Sequence, residues 1–372
     1  MSAPGGEVLF VNLSRGWGGG EQWHLSAAQG LRARGRTVAL LVYPGGVLAA
    51  RAAAAGLAIW PQALRNVSLL NPLRVMPLVR ELRLRHPAAV ILNAAHELKV
   101  VGLAARWCGV PRVVLRRGIP VAPRRTALNR WVLRHVPTRL IVNSQATLDA
   151  MSAEFPEEVA HLRPLVIHNG VDPEVWRPPA RRADSGTIAV VGRLTAEKGV
   201  ARALEVLARL RARVPQARML VIGDGLLRPQ LEAQAGRLGL AGAVEFLGQR
   251  DDVPALLAGC DVLLLASHWE GFAYVLAEAM LTELPTAAFD IPAVREVTVP
   301  GETGLIVPDG DLDGMATALA ALLGDAPRRA ALGAAGRRRA LDKFALQRTL
   351  DQLEALLDEP DPEPAAPRAS GA

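Results

Sequence analysis

The sequence is poor in cysteine, lysine and aromatic residues, and it has no long apolar run. Its two cysteines, Cys108 and Cys260, lie far apart in apolar surroundings, which excludes a disulfide scaffold and a cysteine-based zinc site and fits a reducing cytoplasm. The longest charge-free stretches, Thr37–Ala50 and Ala52–Leu64, are shorter than the ~18 residues that a membrane-spanning helix needs. We therefore expect no transmembrane helix, and the absence of a basic segment before the first apolar strand predicts no secretory signal.

Arginine greatly outnumbers lysine, and charge is distributed unevenly between the two halves of the sequence. There are 3 lysines and 40 arginines, a coding bias that weakens any argument from a single arginine. Residues 1–170 hold 21 Lys+Arg and 8 Asp+Glu, a local charge of +13, whereas residues 171–372 hold 22 and 28, a local charge of −6. This asymmetry indicates that the first half meets an anionic membrane surface or a phosphorylated acceptor. Nucleic acid is not expected as a partner, because no nucleic-acid-binding motif accompanies the charge.

The length of 372 residues predicts two domains. In each half, short apolar strands alternate with amphipathic helices, which predicts an α/β fold with two Rossmann-like domains that face each other across a central cleft. The predicted organisation is a first domain at 1–168, a Pro- and Gly-rich linker at 169–185, a second domain at 186–344, a helix at 345–358 and a disordered tail at 359–372. Ligands of such sheets bind at the carboxyl ends of the strands, so the candidate site residues are those of the loops that follow them.

A glycine cluster follows the first predicted strand, Val8–Leu13. In Gly16-Trp-Gly-Gly-Gly20 the glycines, Gly19 and Gly20 among them, let backbone N–H groups approach an anion at the start of a helix. The spacing differs from the Gly-x-Gly-x-x-Gly signature of dinucleotide-binding proteins. The alternative interpretation is a flexible turn without a ligand.

Two cations follow the first strand of the second half, Thr187–Val191. Arg193 and Lys198 lie in one loop at the start of a predicted helix. An arginine can bond two phosphate oxygens at once and a lysine supplies a mobile point charge, so the pair suits a pyrophosphate. The alternative is a solvent-exposed surface pair.

Two glutamates follow the predicted strand Val262–Leu265. Glu270 lies in the loop, Gly271 permits a tight turn, and a helix is predicted to start near Ala273, with Glu278 about a turn and a half inside it. Carboxylates accept hydrogen bonds from vicinal hydroxyls, so Glu278 is a candidate ligand of a ribose and Glu270 of a sugar. The alternative for Glu278 is a solvated helix residue, although its neighbours are largely apolar.

These elements, with two further segments, carry a resemblance to a known family. The matching segments, in chain order, are Gly18-Gly-Gly-Glu21, Val166-Ile-His-Asn-Gly-Val-Asp172, Val191-Gly-Arg193 with Lys198-Gly199, Glu270-Gly-Phe272 with Glu278-Ala-Met280, and Gly301-Glu-Thr-Gly-Leu-Ile-Val307. Over roughly residues 7–357 the chain resembles the family 4 retaining glycosyltransferases of the GT-B fold, whose Glu-x7-Glu motif is matched by Glu270 and Glu278. That motif alone is weakly specific, whereas the whole set in this order is strongly specific.

The resemblance implies roles for these residues. The family's equivalents of Arg193 and Lys198 hold the donor pyrophosphate, that of Glu278 binds the nucleotide ribose, and that of Glu270 contacts the donor sugar. The donor-binding residues implied in this way are Gly19, Gly20, Arg193, Lys198, Glu270, Gly271, Phe272 and Glu278. The expected co-substrate is a UDP- or GDP-linked sugar, with no metal, no cofactor and retention of the anomeric configuration. The first domain is then expected to bind the acceptor and the second the donor, with the last helix crossing back to the first domain.

One histidine is a further candidate for the catalytic site. His96 follows the predicted strand Ala88–Leu92 in the first half, where the family often places a histidine near the transferred sugar; the alternative is a structural role. The predicted catalytic set is His96, Arg193, Lys198 and Glu270. The segment Phe289–Glu296 departs from the family, which usually has a Gly-Gly pair there, and this departure leaves the donor sugar open.

A basic amphipathic stretch spans residues 65–86. Its arginines alternate with aliphatic residues, a pattern typical of a helix that lies on an anionic membrane. The predicted acceptor- or membrane-contacting residues are Arg74, Arg80, Arg83, Lys99, Arg116 and Arg117. The alternative is an ordinary surface helix whose arginines lie in solvent.

Taken together, the sequence predicts a metal-independent retaining glycosyltransferase at the cytoplasmic face of the membrane. The expected acceptor is a cell-envelope glycan or a lipid-linked saccharide, as in lipopolysaccharide assembly, because Trp17–Glu21 and Arg116–Pro120 are similar to the envelope subset of the family. Two alternatives stay open. One is a nucleotide-sugar epimerase or a phosphorylase of the same fold, and the other is a non-catalytic protein that binds nucleotide sugars.

Overall fold

The computed structural model describes residues 6–64, 71–180 and 184–360, and these residues form two compact units. The first unit consists of the described residues of Met1–Asn143, Thr147–Ile167 and Thr349–Ala372, and the second of those of Ser144–Ala146 and His168–Arg348. Within these ranges, no helix is both long enough and apolar enough to cross a bilayer.

A seven-stranded parallel sheet forms the core of the first unit. Its strands are β1 (Val8–Asn12), β2 (Val38–Val42), β3 (Ala58–Pro61), β4 (Ala89–Leu92), β5 (Arg112–Arg117), β6 (Arg139–Val142) and β7 (Leu165–Val166). They lie in the order β3-β2-β1-β4-β5-β6-β7. The central strands β1, β2 and β4 are buried along their whole length, because helices cover both faces of a parallel sheet.

Short helices connect these strands. They are α1 (Gly19–Ala33), α2 (Val47–Ala54), α3 (Pro72–Arg85), α4 (Ala95–Glu97), α5 (Leu103–Trp107), α6 (Ala127–His135), α7 (Gln145–Glu154) and α8 (Pro156–His161). A π-helical turn, Leu98–Gly102, joins α4 to α5. Side-chain caps set two of the helix starts: Asn71 accepts from the N–H of Leu73 before α3, and Thr126 accepts from that of Asn129 before α6.

The second unit has a six-stranded parallel sheet in the order β10-β9-β8-β11-β12-β13. Its strands are β8 (Thr187–Val191), β9 (Arg218–Ile222), β10 (Val244–Gly248), β11 (Val262–Leu265), β12 (Thr286–Phe289) and β13 (Leu305–Val307). Its helices are α9 (Val200–Arg211), α10 (Arg228–Arg237), α11 (Val253–Ala258), α12 (Tyr274–Leu281), α13 (Pro292–Val297), α14 (Leu312–Leu323) and α15 (Ala326–Lys343). A 3-10 turn, Ala196–Lys198, precedes α9.

In both sheets the strand order reverses at the same place. β2 and β3 add to one side of β1, and the chain then crosses over to place β4 on the other side. β9 and β10 add to β8 in the same way before β11 pairs with its other edge. Ligands bind beside such a reversal, at the carboxyl ends of the strands. The loops after β1 and β4, and those after β8 and β11, are therefore the places for a functional site.

The last helix, α16 (Leu346–Leu357), packs for most of its length on the first unit. Arg34 at the end of α1 reaches two of its carboxylates, with Nη1 at 2.8 Å from Asp351 Oδ1 and 2.6 Å from Glu354 Oε2. A side chain at Gly30 would overlap that of Leu350, so the glycine permits the close approach of the two helices. The predicted return of the last helix to the first domain is confirmed.

The structure contains elements that the sequence does not reveal. They are α2, α7, α8, β3, β7 and β13. α2 reads Val-Leu-Ala-Ala-Arg-Ala-Ala-Ala, and with a single charged residue it shows no amphipathic pattern. β7 has only two residues, too few for any periodicity to mark it.

The segment predicted as a linker, 169–185, belongs to the second unit where the structure describes it. The Val171 N–H donates to the Phe344 carbonyl at 2.8 Å, and the Leu346 N–H donates to the Val171 carbonyl at 2.9 Å. These bonds tie the segment to Phe344 and to the first residue of α16. Residues 181–183 of the predicted linker lie outside the described residues.

The predicted tail, 359–372, is described only at its first two residues. Glu359 is held at both its carbonyl and its carboxylate, by Arg112 and by Arg139 respectively. The predicted boundary of the tail therefore falls on a residue with defined partners. Residues 361–372 of the tail and residues 65–70 of the predicted basic stretch lie outside the described part of the chain.

Candidate functional site

Two of the predicted site residues in the second unit are in direct contact. Lys198 Nζ lies 2.7 Å from Glu270 Oε1, and the two side chains are 23% and 11% exposed. The Ser267 hydroxyl donates to the same oxygen at 2.6 Å. Residues 72 apart in sequence thus meet beside the carboxyl ends of β8 and β11.

Arg193 lies in the same loop as Lys198 and is more open to solvent. Its side chain is 60% exposed, and Nη2 is 3.5 Å from Glu197 Oε1. An exposed guanidinium beside a half-buried ammonium gives one loop two cations that differ in geometry and in hydration. This is the arrangement that a pyrophosphate with several free oxygens can use.

A glycine and a buried arginine fix the loop that carries Glu270. Gly199 has φ 61°, and a Cβ at this position would overlap the carbonyl oxygen of Ala266. The Arg202 guanidinium donates from Nε to the Ala266 carbonyl and from Nη2 to the Ser267 carbonyl, and it pairs with Asp309 at 2.5 Å. The start of α9 is therefore locked against the end of β11, which brings Lys198 to Glu270.

Arg202 is a residue that sequence reasoning missed. Its guanidinium lies over the Phe289 ring at 4.1 Å, and the residue is only 9% exposed. The available signal was its position four residues after Lys198, on a helix whose other inward residues are Ala, Val and Leu. An arginine on the apolar face of a helix indicates specific partners, since burying a charge without them is costly.

Glu278 lies on the buried side of α12. It is 7% exposed, which excludes the interpretation as a solvated helix residue. The helix begins after Ala273, which adopts the left-handed conformation at φ 55°, a strained state for any residue with a Cβ. Gly271 and Phe272 before it are buried, and the Phe272 ring lies 5.3 Å from that of Phe344 and 5.7 Å from that of His168. The turn between Glu270 and Glu278 is thus rigidly packed.

In the first unit, a buried polar cluster lies at the start of α1. A Cβ at Gly20 would come within 2.9 Å of Asn93 Nδ2, so the glycine lets α1 meet the loop after β4. Arg116 Nη1 donates to Asn93 Oδ1 at 3.1 Å, and its guanidinium lies over the Trp23 ring at 4.5 Å. Gly19 is exposed at the helix start.

The structure corrects the prediction for two arginines of β5. Arg116 is 1% exposed and Arg117 is 7% exposed, so neither belongs to a basic surface that could lie on a membrane. Arg117 Nη2 donates to the Val121 carbonyl at 2.6 Å, and burial lowers the pKa of its guanidinium. Both side chains are buried because β5 lies between β4 and β6, and helices cover the two faces of the sheet to which they point.

His96 lies on the short helix α4, next to the carboxyl end of β4. Its side chain is 39% exposed, and Nε2 is 3.9 Å from Glu97 Oε1. Burial, and then the positive charge of Lys99, lower the pKa of His96 below its ordinary value. Both effects favour the neutral form of the imidazole. Lys99, in the π-helical turn that follows, is half-buried; such turns occur frequently at functional sites.

The three arginines predicted to contact a membrane are all exposed on α3. Arg74, Arg80 and Arg83 share this part of the surface with apolar side chains that are also in solvent: Leu73 at 84% exposure, Met76 at 58%, Leu84 at 65% and Trp107 at 68%. The Arg83 guanidinium lies over the Trp107 ring at 5.6 Å. We call these seven residues the α3–α5 patch.

The described chain matches two family models and several curated relatives. The model described as glycosyltransferase family 4 matches residues 17–175, and the one described as glycosyl transferases group 1 matches residues 173–339. A glycogen synthase of Mycobacterium tuberculosis is 33% identical over 211 residues, which cover 55% of this chain and 50% of the relative. The lipopolysaccharide core biosynthesis mannosyltransferase LpsB of Rhizobium meliloti is 28% identical over 203 residues, which cover 50% and 58%. The chain thus spans about half the length of the curated relatives it matches.

One solved structure shares the fold over nearly the whole chain. The crystal structure of Anabaena Alr3699/HepE in complex with UDP and glucose is 23% identical, with a TM-score of 0.82 over 95% of this chain and 99% of that chain. At this level of identity the similarity establishes the fold and leaves the chemistry to the residues of the site.

Proposed function

Because the chain belongs to glycosyltransferase family 4, we propose that it transfers a sugar from a nucleoside-diphosphate sugar to an acceptor, with retention of the anomeric configuration and without a metal ion. The observation that carries this proposal is the 2.7 Å contact between Lys198 Nζ and Glu270 Oε1. It places a cation suited to phosphate beside a carboxylate suited to sugar hydroxyls, which is the juxtaposition that a sugar linked to a pyrophosphate requires.

In the proposed mechanism, Lys198 and Arg193 stabilise the leaving group. Negative charge grows on the pyrophosphate as the glycosidic bond breaks, and preorganised cations in a partly buried site favour that charge. These two side chains supply the positive charge that a metal ion would supply in a metal-dependent transferase. The pyrophosphate takes the place of Glu270 as the partner of Lys198, and Glu270 then accepts hydrogen bonds from the sugar.

We propose a uridine or guanosine diphosphate sugar as the donor. A UDP complex of a protein with the same fold supports the uridine nucleotide as the first one to test. A thermal-shift screen of nucleotide sugars is the direct experiment, because a ligand at a hundred times its dissociation constant adds ~2.7 kcal/mol to the free energy of unfolding. No stabilisation by any nucleoside diphosphate or nucleotide sugar would contradict the proposal.

Product analysis separates the proposed reaction from the alternatives. A retaining transferase hydrolyses its donor slowly and releases a sugar whose first-formed anomer, identified by proton NMR, has the donor configuration. An epimerase returns an isomerised nucleotide sugar, a phosphorylase needs inorganic phosphate, and a non-catalytic protein gives no turnover. Inversion at the anomeric carbon would contradict retention while leaving glycosyl transfer intact.

The carboxylate of Glu278 is proposed to bind the ribose hydroxyls. We expect Glu278→Ala to weaken the affinity for the bare nucleoside diphosphate by ~1–3 kcal/mol, because a buried hydrogen-bonded carboxylate is lost from the ribose. Titration calorimetry measures this affinity without any turnover. The matched control is Glu232→Ala on α10, whose side chain is 47% exposed. An unchanged affinity in Glu278→Ala would remove the ribose assignment.

We propose that the acceptor is a cell-envelope glycan or a lipid-linked saccharide met at the cytoplasmic face of the membrane. The first unit is proposed to bind it, with Lys99 and Arg117 close to the site. The curated relative named for lipopolysaccharide core biosynthesis supports the envelope assignment. The α3–α5 patch supports a peripheral membrane contact, because exposed Leu, Met and Trp side chains can enter the headgroup region while arginines meet anionic lipids.

The membrane contact can be tested by charge removal on α3. We expect the wild type to sediment with phosphatidylglycerol vesicles at low salt and to be released as the Debye length falls to ~8 Å at physiological ionic strength. The triple change Arg74→Gln, Arg80→Gln, Arg83→Gln should weaken sedimentation without altering nucleotide affinity, since each basic residue near the surface contributes ~1 kcal/mol.

A matched control removes the same charge from the second unit. Arg237, Arg328 and Arg338 are exposed, and their replacement with Gln should leave vesicle binding near the wild-type level. An equal loss of vesicle binding in the two triple variants would show a general effect of net charge and would contradict a specific contact between α3 and the membrane. If the wild type does not bind anionic vesicles at low salt, the membrane contact is wrong, and a soluble phosphorylated acceptor then explains the positive charge of the first half.

A further inference from the structure

Glu97 is a buried carboxylate to which the proposed mechanism gives no role. It is 1% exposed and closes the short helix α4, directly after His96. Its Oε2 accepts from the N–H groups of Asn93 and Ala94, both at 2.8 Å, and its Oε1 accepts from the Leu13 N–H at 2.7 Å. The first two bonds cap the start of α4 locally. The third joins residues 84 apart in sequence and is not needed for a helix cap.

These three bonds tie together the two loops at the strand reversal of the first unit. Leu13 begins the loop that leads from β1 to Gly20, and Asn93 begins the loop that leads from β4 to His96. The Asn93 side chain lies against Gly20 as well, so the two loops meet twice. A shift in the Glu97 carboxylate would therefore move both loops together.

We propose that Glu97 is a positioning residue: its carboxylate clamps the loop after β1 to the loop after β4, sets the place of His96, and closes this clamp when it releases a proton. The residue does not touch substrate in this scheme and acts through His96. The part of the inference that concerns turnover rests on the proposed function, whereas the clamp itself does not.

The clamp depends on the ionisation of Glu97 because only the ionised carboxylate can accept hydrogen bonds from all three N–H groups with both of its oxygens free. A carboxylate only accepts hydrogen bonds and can receive all three N–H groups, whereas a protonated carboxyl group places an O–H on one of the two oxygens. Burial raises the pKa of Glu97 to about 7, although the three N–H bonds lower it, and the negative charge of Glu21 on α1 raises it further. His96 faces the same carboxylate, with Nε2 at 3.9 Å from Oε1.

Amide hydrogen exchange of the whole chain measures the clamp without any substrate. Exchange is followed from about pH 5.5 to about pH 8.5, and each rate is divided by the intrinsic rate at that pH to give a protection factor. In the wild type we expect protection of the Leu13, Asn93 and Ala94 amides to rise about tenfold as the carboxylate ionises. Protection that does not change with pH would overturn the link to proton release, and this test needs no variant.

The variant Glu97→Gln probes the same bonds at constant charge. Its amide oxygen can accept hydrogen bonds, but its NH₂ group cannot. The side chain satisfies most of the three N–H groups when the amide oxygen accepts from Asn93 and Ala94, and the NH₂ group then faces the Leu13 N–H, which loses its acceptor. We expect protection at Leu13 to fall about tenfold and to become independent of pH. The matched control is Glu158→Gln, a glutamate of the same unit that is 2% exposed and pairs with Arg130 at 3.1 Å; it should keep the wild-type exchange at Leu13.

Turnover then separates positioning from a purely structural role. In Glu97→Gln we expect kcat to fall about a hundredfold, because small misplacements of a catalytic group are costly, with an unchanged KM for the nucleotide sugar and loss of the acid limb of the pH profile. Wild-type exchange at Leu13 in Glu97→Gln would overturn the clamp, and lost protection with unchanged kcat would overturn the positioning role. If the wild type transfers no sugar, the proposed function fails, and the exchange data still decide the clamp.

Discussion

Replacing Lys198 with alanine should lower kcat by about 100- to 1000-fold while nucleotide affinity changes far less. The reason is that negative charge develops on the departing pyrophosphate in the transition state, so a cation placed there acts more strongly on the transition state than on the bound donor. Lys198 is suited to this role because it is partly buried and lies against Glu270, which fixes its place before the donor arrives. Steady-state kinetics with the donor identified by thermal shift give kcat and KM separately.

Two further variants make this result specific. Lys343→Ala removes the other lysine of the second unit, whose side chain is 48% exposed, and should leave kcat unchanged. Lys198→Ala also leaves Glu270 without its cation. The cycle formed by Lys198→Ala, Glu270→Gln and the double variant therefore separates the coupling between the two side chains from the direct effect of each on kcat. A rise in KM alone, with kcat intact, would mean that Lys198 binds ground state and transition state equally and does not stabilise the leaving group.

The family and the α/β, GT-B fold of the chain could be predicted from the sequence, and both predictions are confirmed. They rest on features that are local in sequence: apolar strands of four to six residues, glycines directly after strands, and motifs in a fixed order. The sequence places Lys198 and Glu270 in loops that follow two strands, but it does not predict their contact. That contact depends on the pairing of β8 with β11, which brings the carboxyl ends of the two strands to one edge.

The environment of each arginine could not be predicted in this way. Arg74 is exposed, whereas Arg116 is buried over Trp23 and Arg202 is buried over Phe289. In a chain with 40 arginines the residue type says little about exposure, and what decides it is a set of partners that are distant in sequence. Arg202, for example, pairs with Asp309, which is 107 residues away in sequence, and no local sequence pattern indicates such a pair.

Glu97 shows the same limit for a carboxylate. By sequence it is a polar residue that follows a histidine after a predicted strand, and nothing nearby indicates that the backbone of Leu13 donates to it. The role of a glycine is easier to predict from the sequence, because it is steric. The sequence predicts a close approach of backbone N–H groups at Gly20 but assigns no such role to Gly199, and at each of them an added side chain would meet another loop.

Gly199→Ala should strongly destabilise the second unit. The residue has φ 61°, which costs a residue with a Cβ about 1–2 kcal/mol. The added Cβ would in addition overlap the Ala266 carbonyl and come within 3.0 Å of Arg202 Nε, and overpacking of this kind costs about 1–3 kcal/mol more. We therefore expect a loss of ~2–5 kcal/mol in the free energy of unfolding of the second unit.

Gly239→Ala separates the two contributions, because Gly239 has nearly the same backbone conformation, φ 70°, with no atom within 4 Å of the added Cβ. It should cost only the backbone part, ~1–2 kcal/mol, and leave nucleotide affinity unchanged. In Gly199→Ala the Ala266 carbonyl must move, and with it the loop that holds Ser267 and Glu270, so nucleotide affinity and kcat should fall together with stability. Urea unfolding and calorimetric titration measure the two effects side by side. Equal destabilisation in the two variants, with nucleotide affinity intact in both, would show that α9 and β11 are not locked at this contact and that Arg202 alone holds the loop.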